Sequence, residues 1–217
     1  MSLAEKINEI NEEVRVNIPV DIQAVMAEAT QTLSESDLVS NAPKAGDTMK
    51  NFTLPNALGE ERSLDTLREI GPVVVTFYRG GWCPYCNLEL RAYQHVLSDI
   101  TAAGASLVAI TPELPDASLS TIEKNGLGFE VLTDENSNYA RKLGLVFTLP
   151  EELQAIYTRL GLHLEKHNGQ GQFDLPLVAT FIVGVDGTIL SAFVDADYRV
   201  RKEPSEIVEE LKLKRKG

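Results

Sequence analysis

The chain has 217 residues, a net charge of −12 and 43% hydrophobic residues. This composition excludes a largely disordered chain and favours one globular domain with an extension, or at most two small domains. The negative charge argues against a general nucleic-acid binder, because binding phosphate needs clustered Lys and Arg.

Apolar residues recur at helical spacing along the first 45 residues, and Pro19 interrupts the pattern. This predicts two amphipathic helices that form an N-terminal helical extension over residues 1–44, followed by the main domain at 45–217. The turn-forming segment around Gly46 is the joint between them. We expect the extension to pack on its own domain, and the alternative is that it pairs two copies of the chain in a homodimer.

Strands and helices alternate beyond Gly46. Strands are predicted at 73–78, 106–111, 130–133, 179–185 and 188–194, the last two joined by a hairpin turn at Asp186-Gly187. Helices are predicted at 84–103, 117–124, 137–143, 150–164 and 204–214, with a polar loop at 167–172. The basic cluster at 212–216 is typical of the last turn of a helix. This order predicts an α/β, thioredoxin-like fold with a central mixed sheet flanked by helices.

The N-terminus lacks the apolar run of a signal peptide, and the longest apolar runs are too short to cross a bilayer. The sequence therefore predicts a cytoplasmic protein with no membrane partner. The chain has two cysteines, Cys83 and Cys86, and in the reducing cytosol we do not expect them to form a structural disulfide.

These cysteines form a C-x-x-C motif where a buried strand crosses a Gly-Gly turn and enters a long helix. A thiol at a helix N-terminus faces unpaired backbone N–H groups and the positive end of the helix dipole, which favour the thiolate. Pro84 suits the start of that helix. The thiolate attacks peroxides and disulfides, and the spacing lets the second sulfur close a disulfide with the first. The pattern therefore predicts that Cys83 and Cys86 are a catalytic redox pair.

Two other interpretations of the cysteines are weaker. A zinc site usually needs four ligands; a second C-x-x-C is missing, and His163 and His167 adjoin a polar loop. Two inert buried cysteines would not need the Gly-Gly-Trp-Cys-Pro context. We therefore expect no metal and no cofactor.

Several segments together resemble a known family. The motif at 82–86 looks like the thioredoxin and glutaredoxin active site, and the segments at 45–47, 52–59 and 64–67 resemble the start of peroxiredoxin domains. Over roughly residues 45–212 the chain resembles the alkyl hydroperoxide reductase/thiol-specific antioxidant family, especially its peroxiredoxin-like branch with a C-x-x-C. The resemblance implies a thiol-dependent peroxidase that reduces hydrogen peroxide or organic hydroperoxides and is recycled by a thioredoxin-like reductant or glutathione.

The resemblance leaves open which cysteine attacks first. The peroxiredoxin pattern T-x-x-C-x-x-E falls on Cys83, Cys86 and Glu89 and makes Cys86 the attacking residue, whereas the thioredoxin pattern assigns that role to Cys83. From its position on the helix, we expect Cys83 to be the more exposed sulfur. Glu89 could orient backbone or Arg groups or lie in solvent. Trp82 and Tyr85 could line the site or simply pack.

Two positions depart from the family pattern. Arg79 stands where the usual peroxiredoxin has Pro, and Val178 stands where it has the Arg that activates the peroxide. Arg79, Arg199 or Arg201 could bring positive charge to the sulfur instead, and we expect the Arg79 side chain to lie outside the core.

The departure at Val178 keeps two other functions open. One alternative is a thiol–disulfide oxidoreductase that acts on protein disulfides. The other is a non-enzymatic, redox-sensing module that binds a partner through the N-terminal helices.

Overall fold

The structure is a computed structural model that describes residues 1–214. The basic cluster predicted at 212–216 therefore lies partly outside the described residues. The helices are α1 Leu3–Asn17, α2 Val20–Ser34, α3 Leu38–Asn41, α4 Leu64–Arg68, α5 Pro84–Ala102, α6 Pro115–Asn125, α7 Asn138–Lys142, α8 Glu151–Arg159, α9 Leu164–Asn168 and α10 Pro204–Lys214. The strands are β1 Thr53–Pro55, β2 Glu61–Ser63, β3 Val73–Phe77, β4 Ser106–Thr111, β5 Glu130–Thr133, β6 Val146–Thr148, β7 Asp174–Pro176, β8 Val178–Val183 and β9 Ile189–Asp195.

Five strands form the central sheet in the order β5-β4-β3-β8-β9. Strand β3 pairs in parallel with β4 and antiparallel with β8, and the β8–β9 hairpin forms one edge. This confirms the predicted mixed sheet and the hairpin at Asp186-Gly187. Two small antiparallel pairs, β1–β2 and β6–β7, lie apart from it and were not predicted.

Strand β3 is the centre of the core because all five of its residues are buried. Its side chains alternate between the two faces of the sheet. Val74 packs with the buried face of α5, which includes Leu90 and Tyr93. Val73 and Val75 pack on the opposite face with Phe181 from β8. The chain leaving β3 therefore emerges from the middle of the sheet, directly before the cysteine motif.

The N-terminal helices α1 and α2 occupy most of residues 1–44. Helix α1 begins with a capping box between Ser2 and Glu5, and its Leu3 and Ile7 are buried in the cluster that contains α5 and α10. Helix α2 has no fully buried residue, but its apolar side chains pack on the cluster around α8. Each helix thus covers a different part of the molecule.

The helix predicted over 150–164 is wrong in its extent. Pro150 caps α8, which ends at Arg159, and the backbone reverses at Gly161, where φ is +81°. A short helix, α9, then follows. A residue with positive φ, usually glycine, ends a helix. The apolar residues keep helical spacing on both sides of Gly161, so the spacing alone does not reveal this break.

Candidate active site

The cysteine motif follows β3 through a tight turn at Gly80 and Gly81. The backbone N–H of Cys83 donates to the carbonyl of Gly80 at 3.0 Å. A Cβ atom at Gly80, where φ is +151°, would lie 2.2 Å from Trp82 Nε1, and one at Gly81 would lie 1.9 Å from Thr121 Oγ1. Both positions therefore require glycine.

A buried carboxylate anchors this turn. Glu113 Oε1 accepts a hydrogen bond from the Gly81 N–H at 2.9 Å, and its Oε2 accepts from the hydroxyl groups of Tyr78 and Thr121, each at 3.3 Å. Glu113 lies directly beyond β4, so it links the turn to the neighbouring strand. Its role was not predicted, because an isolated Glu in a loop gives no sequence signal for burial.

Both cysteines are free thiols with side chains fully removed from solvent. The expectation that Cys83 is the more exposed sulfur is therefore wrong. Cys86 lies on the first turn of α5, three residues after Cys83, and the two side chains interact electrostatically. Cys83 occupies the N-cap of α5, with Pro84 in the first turn, as the motif predicts. The Cys83 side chain accepts no capping hydrogen bond from the helix backbone, however, and a neighbouring guanidinium takes the place of the expected N–H donors.

Arg79 is that neighbour, with its Nη2 3.2 Å from Cys83 Sγ. Its side chain is only 4% exposed, so the expectation that it lies outside the core is wrong. The guanidinium lies over the ring of Tyr198, 4.2 Å from the centroid, and 5.2 Å from the centroid of Trp82. These aromatic faces and the sulfur replace part of the hydration that burial removes from the cation.

A second buried arginine lies beside the second cysteine. Arg201 Nη2 lies 3.5 Å from Cys86 Sγ, and its Nη1 donates to Glu89 Oε2. The Glu89 side chain is 1% exposed, so the alternative that it lies in solvent is wrong; pairing with Arg201 makes its burial possible. Arg199 instead pairs with Asp197 at 2.7 Å.

The charges around the two sulfurs give them different acidities. Burial alone would raise the pKa of Cys83, but the hydrogen bond with Cys86 and the charges of Arg79 and Arg201 hold it well below its usual range. Burial and the neighbouring Cys83 raise the pKa of Cys86 well above its usual range. Burial also raises the pKa of Glu89 to about 7, against the pull of Arg201. Of the two sulfurs, Cys83 is therefore the more readily ionised.

Aromatic side chains surround the pair. Trp82 packs edge-on against Tyr157 of α8, with ring centroids 5.8 Å apart. Tyr85 packs edge-on against Tyr198 at 5.4 Å, and its hydroxyl donates to Asn11 Oδ1 of α1 at 2.9 Å. Trp82 and Tyr85 thus connect the motif to α8 and to the N-terminal helices. Sequence reasoning missed Tyr157 and Tyr198, whose contacts depend on the tertiary fold.

A cavity of about 380 Å³ lies between α2, α8 and the strands β6 to β8, and Arg79 is one of its lining residues. Val178 and Tyr198 also line it.

Among residues 1–214, no cluster of three or more His, Cys, Asp or Glu side chains could hold a metal ion. His167 Nδ1 lies 3.2 Å from Glu113 Oε1 without forming a hydrogen bond. No helix in that same range is long and apolar enough to span a membrane.

Comparison with known proteins places this geometry in context. The chain matches the AhpC/TSA family over residues 45–192. A protein of Mycobacterium tuberculosis named as a peroxiredoxin is 29% identical over 147 residues, which cover 68% of this chain and 82% of that protein. Peroxiredoxin Bcp of Escherichia coli is 28% identical over 105 residues, which cover 48% of this chain and 67% of that protein. The crystal structure of peroxidoxin BcpB from Mycobacterium tuberculosis superposes with a TM-score of 0.61 at 21% identity, over 78% of this chain and 97% of that chain. The structural similarity confirms the predicted thioredoxin-like fold.

Proposed function

We propose that this chain, which belongs to the AhpC/TSA family and is a thiol-dependent peroxidase of the peroxiredoxin type, reduces peroxides through Cys83 and Cys86 as a redox pair. In this proposal, Cys83 attacks the peroxide first. The observation that carries this assignment is the 3.2 Å contact between Arg79 Nη2 and Cys83 Sγ. A guanidinium at that distance stabilises a thiolate, and the thiolate is the nucleophile. Arg79 also replaces the positive charge that the family pattern places at the position of Val178.

The first step is attack by the Cys83 thiolate on the peroxide. An S–O bond forms, the O–O bond breaks, and Cys83 is oxidised to sulfenic acid. The leaving alkoxide or hydroxide takes up the proton that the thiol gave up, which yields an alcohol or water. Arg79 is placed to stabilise the negative charge that develops on the leaving oxygen.

The second step is closure of the disulfide by Cys86. Its sulfur attacks that of Cys83, an S–S bond forms, and the S–O bond breaks, so that hydroxide leaves and becomes water with one proton. Arg201 favours the Cys86 thiolate that this attack needs. We assign the proton of Cys86 to Glu89, three residues further along α5, because its pKa of about 7 lets it exchange protons near neutrality.

The cycle is completed by two thiols from outside, supplied by a thioredoxin-like protein or by glutathione. They reduce the disulfide to the Cys83 and Cys86 thiols and are themselves oxidised to a disulfide. The conflict between the peroxiredoxin and thioredoxin patterns is then resolved in favour of Cys83. Cys86, at the family's usual attacking position, becomes the resolving residue.

Single-cysteine variants test this assignment. The wild type should consume hydrogen peroxide and cumene hydroperoxide in the presence of a reducing system, and Cys83→Ser should not. Cys86→Ser should leave a sulfenic acid on Cys83 that dimedone labels and peptide mass mapping locates. Peroxide consumption by Cys83→Ser with dimedone label on Cys86 would reverse the roles of the two residues.

Disulfide exchange with a protein substrate is the second candidate function. The low pKa of Cys83, the first cysteine of the C-x-x-C, favours it, because that is the residue the thioredoxin pattern uses. Full burial of both sulfurs weighs against it, since a protein disulfide must reach the attacking sulfur. Insulin reduction measured beside peroxide consumption separates the two functions.

A further inference from the structure

The cavity beside Arg79 has mostly apolar walls. Helix α2 forms one wall, and α8 with the strands β6 to β8 forms the opposite one. The apolar lining residues include Val25, Met26, Ala29, Phe147, Leu153 and Val178. Its volume of about 380 Å³ falls in the range of about 300–1,000 Å³ that small-molecule sites occupy. A molecule as small as hydrogen peroxide does not need such a space.

The charged groups of this cavity have distinct positions. Arg79 is buried and touches the attacking sulfur, so it marks the end of the cavity nearest the chemistry. Glu28 and Glu152 also line the cavity, but both are exposed, so they belong to its mouth. A cation inside and carboxylates at the entrance favour a neutral molecule that places its polar group on Arg79 and its apolar group against the walls.

The wall supplied by α2 belongs to the N-terminal extension. The family match covers residues 45–192, whereas α2 spans Val20–Ser34. Val25, Met26 and Ala29 of α2 pack on the α8 cluster and also line the cavity. Without α2, this side of the site would be open to solvent, and Arg79 would be reached from water.

We propose that this cavity binds the apolar organic group of a neutral hydroperoxide, and that helix α2 determines a preference for such peroxides over hydrogen peroxide. The proposal rests on the peroxidase function given above and adds the site and the specificity element. The peroxide group then lies against the Arg79 guanidinium, whose Nη2 is 3.2 Å from Cys83 Sγ. Cys83 itself does not line the cavity, so Arg79 is the group that links the bound substrate to the sulfur.

A matched pair of variants on α2 tests the role of the wall. Ala29→Phe fills the cavity, whereas Gln31→Phe adds the same ring at an exposed position on the same helix that does not line it. For Ala29→Phe we expect kcat/KM for cumene hydroperoxide to fall at least about tenfold, mainly through KM, and kcat/KM for hydrogen peroxide to stay within about twofold of wild type. Gln31→Phe should match wild type with both peroxides.

Binding of the product alcohol tests the site without any substitution. Trp82 is the only tryptophan of the chain and packs on Tyr157, which lines the cavity. We expect 2-phenyl-2-propanol to change the fluorescence of Trp82 in the reduced wild-type protein and to compete with cumene hydroperoxide in steady-state kinetics. This measurement decides the matter if Ala29→Phe does not fold.

Three results would overturn the proposal. One is a wild-type protein that does not bind the alcohol. Another is an Ala29→Phe variant that loses activity equally with both peroxides, or not at all. The third is an effect confined to the KM for the reducing thiol, which would assign the cavity to the reductant. Each of these leaves the peroxidase function intact, whereas a wild type that consumes no peroxide removes the function and the proposal together.

Discussion

Replacing Arg79 by Met removes the guanidinium whose Nη2 lies 3.2 Å from the Cys83 sulfur while keeping a side chain of comparable length. Two unit charges 3.2 Å apart interact by about 5 kcal/mol at an effective dielectric constant of about 20, which is an upper value because the guanidinium charge is spread over three nitrogens. Opposite charges at such distances lower a pKa by about 1–3 units, or about 1.4–4 kcal/mol. We therefore expect the pKa of the Cys83 thiol in Arg79→Met to rise by about 1–3 units, because Arg201 still supplies part of the stabilisation.

The rise in pKa can be measured by the rate of iodoacetamide alkylation across pH 5–9, with peptide mapping to assign the adduct to Cys83. Peroxide consumption should slow most at pH values below the new midpoint, where the thiol is protonated. Arg199→Met is the matched control, because Arg199 pairs with Asp197 and not with the sulfur. Circular dichroism and a thermal melt show whether the buried substitution leaves the fold intact.

A folded Arg79→Met variant with the alkylation midpoint and peroxide kinetics of wild type would refute this reasoning. Arg79 would then have only a structural role. The neighbouring Cys86 thiol and the charge of Arg201 would together be enough to ionise Cys83. A midpoint that moved equally in Arg199→Met would point to the general charge of the region instead of the direct contact.

Three further predictions follow from the same structure. Oxidation of the native protein with one equivalent of peroxide should join Cys83 to Cys86, so that thiol counting under denaturing conditions finds no free thiol until dithiothreitol is added; two free thiols would contradict this. Burial raises the pKa of Glu89 to about 7 from its ordinary 4.5. The protonated Glu89 side chain therefore favours the folded state by about 3 kcal/mol below pH 4.5, and this stabilisation is lost as the pH rises through 7. Glu89→Gln should flatten that part of the pH dependence in urea unfolding between pH 5 and 8, and a curve parallel to wild type would argue against it. Ile7→Ala should lower the free energy of unfolding by about 2–4 kcal/mol if α1 is an integral part of the domain, and an unchanged value would show that the extension is dispensable.

The elements that hold the motif could be predicted because their signals are local. Strand β3 is an uninterrupted β-branched and apolar run, and the turn at Asp186-Gly187 is a strong hairpin signal. The position of Cys83 at the start of α5 could also be predicted, because the Gly80-Gly81 turn and the C-x-x-C motif are adjacent in the sequence. The pairs β1–β2 and β6–β7 escaped prediction because three residues per strand are too few to show a period.

The electrostatics of the site could not be predicted in the same way. Charged residues are usually solvated, so the sequence predicts that Arg79 lies outside the core and leaves solvent exposure open for Glu89. Arg201 reaches Glu89 from 112 residues further along the chain, and no local pattern reports a contact at that separation. The relative exposure of two cysteines three positions apart also depends on what the rest of the fold places above them.

The two buried guanidinium groups also bear on the reduction potential of the pair. In the proposed cycle, closing the disulfide removes the negative charge of the Cys83 thiolate, while Arg79 and Arg201 keep theirs, so the reduced state is the one they stabilise. For a two-electron couple, about 1.4 kcal/mol of preferential stabilisation raises the potential by about 30 mV. If the charge of Arg79 contributes about 1.4–4 kcal/mol to the thiolate, the disulfide is more oxidising by roughly 30–90 mV than the same pair without that charge. In that proposed cycle, the guanidinium that prepares the thiol for attack also makes the resulting disulfide easier for the recycling thiol to reduce.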